Sequence, residues 1–288
     1  MFASTNVECV ECDLLDPAAP LESVLGGCDV IFNCAGDLHN ERLMEPLHVG
    51  ATLRMLRSFK RLALESGRPL HWVQLSSVGA YGPAVGKPAA ERCVTETTSP
   101  APVGTYEITK ARADELVVRE AENGALTYSI LRPSNVFGRG MPNDSIRQWA
   151  RFIKRRLFVY VGAPGAIATY VHADDVVSAL MLCGFDHRAR GHVFNLSADC
   201  HQEDLVLAMA RALDVPPPRL RVPEALMRAL ASILSKFGHF PISTSRIDAL
   251  VARTRYPTAK LESVLGYRPG HDVPQSIAEV ILDDDTFR

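Results

Sequence analysis

Residues 70–82 read Leu70-His71-Trp72-Val73-Gln74-Leu75-Ser76-Ser77-Val78-Gly79-Ala80-Tyr81-Gly82. Leu70 to Leu75 is a short apolar run expected to form a buried strand, and small, turn-forming residues follow at once. Before it, Leu53, Leu56, Phe59, Leu62 and Ala63 recur at helical spacing, so a helix is expected from about 47 to 66, stopped by Gly67. After it come a helix from about Val103 to Asn123 and a strand from Thr127 to Leu131, closed by Arg132-Pro133. Further out, Asp29 to Cys34 is another apolar run, Leu21 to Leu25 a short helical piece, and Val7 to Val10 a short strand. Strands alternating with helices imply parallel βαβ units with right-handed crossovers and helices on both faces. The expected fold is a doubly wound parallel sheet.

Past Gly138 the pattern turns mostly helical, near 144–156, 174–184, 202–213, 223–237 and 243–253, with short strands at 158–161 and 192–196. Residues 1–140 and 158–200 are therefore assigned to the sheet domain. Residues 141–157 and 201–288 are assigned to a small helical lobe covering the strands' C-terminal ends. The chain has 288 residues, 47% apolar and 22% charged, values ordinary for a globular protein. A net charge of −2 gives no basic stripe for nucleic acid. No apolar run approaches the ~18 residues that span a bilayer. The first residues lack a signal peptide's pattern, so a cytoplasmic location is expected. Seven scattered cysteines point to reduced thiols, and Cys9-x-x-Cys12 has no second half, so no metal site is expected.

In an open parallel sheet, ligands bind beyond the strands' carboxyl ends. Ser76 to Gly82 belongs at that edge, and so does Tyr106-Glu107-Ile108-Thr109-Lys110. A spacing of four puts Tyr106 and Lys110 on one helix face. A free phenol titrates near 10 and is a poor base at neutral pH. A neighbouring ammonium stabilises the phenolate, making Tyr106 an expected acid/base and Ser77 a holder of the reacting oxygen. Alone, Tyr-x-x-x-Lys is common in helices; the surrounding motifs give it weight.

In those motifs the chain resembles the extended short-chain dehydrogenase/reductases of the NAD-dependent epimerase/dehydratase family, especially nucleotide-sugar 4-epimerases and ketoreductases, which have a Rossmann-like sheet. Leu75 to Gly82 is similar to the family's SSSAxVYG, Leu131-Arg132-Pro133-Ser134-Asn135-Val136-Phe137-Gly138 to LRPxNVYG, and Phe32-Asn33-Cys34-Ala35-Gly36 to FHLAA. Cys12-Asp13-Leu14 resembles the GDL turn, Tyr170 to Val176 resembles FVHVDDV, and Leu265 to Pro269 resembles LGWxP. The resemblance implies Ser77, Tyr106 and Lys110 as catalytic residues. It implies a cofactor site of Asp13, Leu14, Asn33, Ala35, Gly36, Tyr106, Lys110, Pro133 and Ser134. It also implies substrate contacts from Ser77, Tyr81, Asn135, Arg139 and His172. NAD is the family's usual cofactor, with NADP open. The substrate would be a nucleotide-sugar, and a homodimer through helices 47–66 and 103–123 is implied. Val78-Gly79 stands where dehydratases have acids, which lowers that branch; an alcohol dehydrogenase of steroid or flavonoid type stays open.

Several of these residues have plainer alternatives. His172 is a ligand contact or a structural hydrogen-bonder, and Asp175 is expected to cap the helix after it. Ser76 is expected to fix its loop by bonding to backbone. Arg139, Arg147 and Arg151 would hold a diphosphate or are exposed arginines. Lys154-Arg155-Arg156 reads as a solvated helix face, Trp72 and Trp149 as packing residues. His48 stands where the family's NVxGT has Asn.

The family's opening strand, GxxGxxG turn and helix, which receive the pyrophosphate, have no counterpart here. The first strand, 7–10, corresponds to the family's third, so two strands and a helix, on the order of 45–60 residues, are absent. In the order 3-2-1-4-5-6 this leaves the strand at 29–34 as an unpaired edge. Three readings follow: a start assigned too far downstream, a paralogue without dinucleotide binding that serves as a binding or regulatory module, or a fold pairing 7–10 directly with 29–34.

Overall fold

The computed structural model describes residues 7–84, 89–122, 124, 126–140, 144–234 and 244–282. Its centre is a parallel sheet of β1 (Val30–Asn33), β2 (Leu70–Leu75), β3 (Leu126–Pro133) and β4 (His192–Leu196), in that spatial order. The register sets Ile31 opposite Trp72, Trp72 opposite Tyr128, and Leu131 opposite Phe194. Alternate residues of each strand serve opposite faces. Leu70, Trp72 and Ile130 meet Leu56 and Phe59 of α1 (Thr52–Ser66) and Val117 of α2 (Thr105–Ala121). Val73, Leu131 and Phe194 meet Val176, Ala179 and Cys183 of α3 (Ala173–Phe185). Covering both faces is what buries β2 and β3 along most of their length. Trp72 is a packing residue, fully buried, its Nε1 donating to Gln74 at 2.9 Å. The doubly wound parallel fold is as expected, and all seven cysteines are unpaired.

Residues 7–10 depart from expectation. They form no strand, and Val7 and Val10 are 77% and 56% exposed. A strand needs a neighbour for its backbone groups, and among the described residues β1 pairs only with β2. Direct pairing of 7–10 with β1 is thereby overturned. β1 is the sheet's edge, and Val30, Ile31 and Phe32 stay half-buried.

The helix expected from 47 begins earlier. Asn40 caps a short turn at Glu41–Met44, a π-helical stretch Glu45–Ala51 follows, and α1 continues to Gly67, which is left-handed at φ +66°. Capping of α3 also differs. The ring of His172 accepts the Asp174 N–H at 3.2 Å, so His172, and not Asp175, is the cap. Asp175 instead accepts from Tyr267 Oη at 2.9 Å and from the N–H groups of Gly270 and His271 at 2.8 and 3.1 Å, tying the C-terminal segment to α3.

The second region has its own core, including Phe137, Ile146, Tyr170, Leu205, Met209 and Ile277. Its helices, Asp144–Lys154, Gln202–Ala212, Glu224–Leu234 and Thr244–Val251, lie near the expected spans; positions 235–237 and 243 of those spans fall outside the described residues. Tyr160–Val161 pairs with Arg221–Val222 and Ile167–Ala168 with Cys200–His201, each a two-stranded pairing apart from the four-stranded sheet.

Candidate active site

All four strands run parallel, so their C-terminal ends share one edge. Cys34, Ala35 and Gly36 leave β1 there, Ser76 and Ser77 leave β2, and Ser134 and Ser197 follow β3 and β4. Ser77 caps the one-turn helix Val78–Tyr81: its Oγ accepts the Gly79 N–H at 3.0 Å, which leaves its own proton free to give. That turn ends at Gly82 with φ +66°, where a Cβ would meet the Ala101 carbonyl oxygen at 1.8 Å. Only glycine fits.

The helix α2 supplies Tyr106 and Lys110. Gly104 starts it in an extended conformation, and Glu107 places a carboxylate at the positive end of the helix dipole. Lys110 is 4% exposed and its Nζ donates to the Leu75 carbonyl at 2.5 Å, fastening the helix to the end of β2. Burial lowers its pKa, while Asp114 and Cys34 work against that. A Cβ on Gly36 would lie 3.9 Å from Nζ, which brings the loop after β1 and α2 together at this point.

Tyr106 is not the lowered phenol the sequence suggests. Burial pushes it up to about 12, and the carboxylates of Glu107 and Asp114 add to the rise. The physical reason is that desolvation penalises the phenolate. In this state the Tyr106 phenol keeps its proton at neutral pH.

Beneath the pair lies a polar network that the sequence motifs did not single out. Asp114, one turn past Lys110, accepts from Ser76 Oγ at 2.7 Å and from Arg132 Nε at 3.0 Å. Ser76 therefore bonds a side chain, not backbone. The Arg132 guanidinium sits 4.9 Å from the Tyr81 ring centroid, and Tyr81 Oη donates to Asn195 at 2.8 Å. Tyr81, expected in the cleft wall, is fully buried by these contacts. The spacing Tyr106, Lys110, Asp114 is the signal that would have revealed Asp114, since each step is four residues along one helix face.

Other expected residues are placed as follows. Asn33 is 4% exposed, its Nδ2 shared between Thr52 at 3.0 Å and Gln74 at 3.1 Å. Asp13 uses its carboxylate on the Leu15 N–H at 2.8 Å, and the Leu14 carbonyl accepts from Arg54. Pro133 and Ser134 are buried at the end of β3, where Ser197 Oγ donates to Ser134 Oγ at 2.7 Å. Arg139 and Arg151 are exposed. His172 is 5% exposed and stacks on His271 with ring centroids 4.2 Å apart. Those two rings and Asp174 offer metal-ligating atoms within 4.8 Å of one another. His172 Nδ1 accepts the Asp174 N–H, while its Nε2 is buried without a hydrogen-bond partner among the described residues.

A cavity of about 710 Å³ opens between the helices Asp144–Lys154 and Thr244–Val251 and is lined in part by Gly82, Asn135, Gln148, Trp149, Phe152 and Tyr256. Asn135 is exposed beside it, held by its Nδ2 bond to the Thr169 carbonyl at 3.0 Å. Trp149 packs against the second core while also lining this space.

A sequence profile of the NAD dependent epimerase/dehydratase family matches residues 2–197. The chain belongs to that family. It is similar to a UDP-glucose 4-epimerase of Vibrio cholerae, 24% identical over 284 residues, covering 92% of this chain and 78% of that protein. It is also similar to a dTDP-6-deoxy-L-talose 4-dehydrogenase (NAD(P)(+)) of Kitasatospora kifunensis, 29% identical over 171 residues, 56% of this chain and 51% of that one. Among solved structures, RMD from Pseudomonas aeruginosa complexed with NADPH superimposes with a TM-score of 0.68 at 21% identity, covering 95% and 87% of the two chains. A UDP-glucuronic acid 4-epimerase from Bacillus cereus in complex with NAD gives 0.68 at 15% identity, covering 93% and 77%. These two establish likeness of fold.

A family cofactor can be tested against the residues present. Lys110 gives one N–H to Leu75, and its ammonium carries more donors at the sheet edge, which suits a ribose diol. The pyrophosphate end finds no equivalent: among the described residues, no glycine-rich turn leads from a strand of the central sheet directly into a helix N-terminus. Of the residues present, Lys110 is the one whose chemistry fits the ribose next to a nicotinamide.

Proposed function

We propose that this chain carries the proton-transfer half of an NAD(P)-dependent oxidoreductase acting at a hydroxyl-bearing carbon of a nucleotide-sugar, as a 4-epimerase or a 4-ketoreductase. The observation that carries the reading is that Lys110, one turn past Tyr106 on α2, is fastened to the Leu75 carbonyl at the end of β2, the strand end from which Ser77 leaves. A bound nicotinamide dinucleotide supplies the hydride carrier and, when oxidised, a positive charge near the phenol. Tyr106 exchanges a proton between its Oη and the substrate oxygen. Ser77 donates its free hydroxyl proton to that same oxygen and orients it. Lys110 holds a ribose hydroxyl and adds positive charge. The cavity beside Gly82 and Asn135 takes the nucleotide end, with Trp149 and Phe152 as apolar surface for the base.

A phenol raised to about 12 favours the direction in which Tyr106 gives its proton, namely ketone reduction. Two assays on the full chain separate the branches. With UDP-glucose and NAD, a 4-epimerase forms UDP-galactose without net NADH. With a dTDP-4-keto-6-deoxy sugar, a ketoreductase consumes NADPH in proportion to product. Failure of both, with no thermal shift on adding NAD, would leave the binding-module reading, which the unpaired edge of β1 favours. The exposed Leu64 of α1, and Val103 and Ile108 at the start of α2, are the apolar positions a homodimer would cover, and light scattering tests that.

A further inference from the structure

The π-helical stretch Glu45–Ala51 is the least regular part of the helical run from Glu41 to Ser66. Such wide turns are rare and concentrate at functional sites, because the extra residue pushes a side chain out of helical register. His48 lies in this one and is 2% exposed. Both of its nitrogens are engaged. Nε2 accepts the backbone N–H of Asp37 at 2.9 Å. A backbone amide only donates, so Nε2 holds a lone pair and the proton of the neutral ring is on Nδ1. Nδ1–H donates to Thr109 Oγ1 at 2.8 Å. The Thr109 proton in turn goes to the carbonyls of Thr105 and Tyr106, at 2.9 and 3.0 Å. The chain of bonds thus runs one way, from the loop after β1 to the first turn of α2.

The same ring meets Tyr106 edge-to-face, with centroids 5.6 Å apart and planes at 86°. On the loop side, a Cβ on Gly36 would come within 3.4 Å of Nε2. We propose that His48 is a positioning residue for Tyr106: its neutral ring, locked in the Nδ1–H tautomer between Asp37 and Thr109, fixes the phenol and ties the Gly36–Asp37 loop to the catalytic helix. The consequence for turnover rests on the oxidoreductase reading; the tautomer and the ring contact stand without it. The charged and titratable groups facing the ring are Asp37 from the loop and Tyr106 and Lys110 from α2. Burial and the Lys110 cation outweigh the Asp37 carboxylate and hold the imidazole uncharged, its pKa pushed down to about 4. A protonated ring has no lone pair for the Asp37 N–H.

Side-chain reach separates the two bonds. Asn ends at about the place of Nδ1 and can serve Thr109; Gln reaches toward Nε2 and can serve Asp37; Phe keeps the ring and loses both. Nitrogen-15 NMR of the full chain, with His48 assigned by its loss in His48→Gln, reads the tautomer directly. The expected result is a proton on Nδ1 and a bare Nε2 at neutral pH. An Nε2–H tautomer or a charged ring at neutral pH would overturn the proposal. The Tyr106 ring resonances, assigned with Tyr106→Phe, should shift in His48→Gln; unmoved resonances count equally against it. Where the wild type turns over a nucleotide-sugar, His48→Phe should lower kcat by ~10–100-fold at nearly constant KM, with partial recovery in His48→Asn or His48→Gln. Losses that are equal in all three variants and track thermal stability would overturn the positioning role. A wild type without turnover would fail the oxidoreductase reading alone, and the tautomer and resonance measurements would still decide this one.

Discussion

Arg132 and Asp114 meet inside the protein through a single carboxylate oxygen: Arg132 Nε and Nη2 lie 3.0 and 2.9 Å from Asp114 Oδ2, and both side chains are less than a tenth exposed. The other oxygen, Oδ1, is buried with no hydrogen bond among the described residues. Burial raises the Asp114 carboxyl even though Arg132, Ser76 and Lys110 all favour its charge. Removing one partner strands the other. Arg132→Met should therefore cost about 3–5 kcal/mol of stability, and adding Asp114→Leu should restore most of it. Denaturant melts of the single and double variants measure this; a single-variant loss below ~1 kcal/mol would contradict it.

Tyr106 should show no phenolate in the unliganded protein at the pH where free tyrosine titrates. Its pKa is raised, so the stability linked to its protonated form is fully present below ~10 and is lost as pH rises through about 12. The phenolate absorbance of the wild type minus that of Tyr106→Phe isolates the group. A difference signal with a midpoint below ~10 would show that Lys110 already activates the phenol.

His48 makes the opposite kind of linkage. Its folded pKa is depressed to about 4, so its contribution to stability is present above its ordinary value of ~6.5 and is lost as pH falls through about 4. Wild-type stability should decline over that window, and the decline should be shallower in His48→Gln. Melting curves between those limits with equal slopes for the two proteins would rule this out.

The edge of the sheet invites association. Phe185 is 66% exposed and lies 5.8 Å, centroid to centroid, from Phe32 on the edge strand β1. Phe185→Lys should change stability by less than ~1 kcal/mol while reducing self-association, because a charge blunts an exposed apolar edge. Light scattering against concentration checks it; unchanged association would move the sticky surface elsewhere.

The placement of several candidate residues was legible in the chain itself. Ser77, Tyr106 and Lys110 are found where a strand end and a four-residue helical spacing put them, since both features depend on residues close in sequence. Asp114 repeats that spacing and was equally readable. The burial of Tyr81 was not, and for His172 the sequence offered the structural hydrogen-bonder that the fold shows without naming its partners. Tyr81 is drawn inward by Arg132 and by Asn195, which lies 114 residues away, and His172 caps its own helix while stacking on His271.

The sequence by itself determined most of the order of strands and helices and the family, and it put Tyr106 and Lys110 on one helix face, because apolar periodicity, glycine stops and short motifs are local. Only the tertiary structure decided that residues 7–10 form no strand, since a strand exists through neighbours supplied by other parts of the chain. Tertiary structure alone also set the state of two rings: the His48 tautomer, imposed partly by Thr109 from 61 residues away, and the phenol of Tyr106 held near 12 by burial. Desolvation and hydrogen-bond direction are properties of the folded surroundings, and no run of adjacent residues carries them.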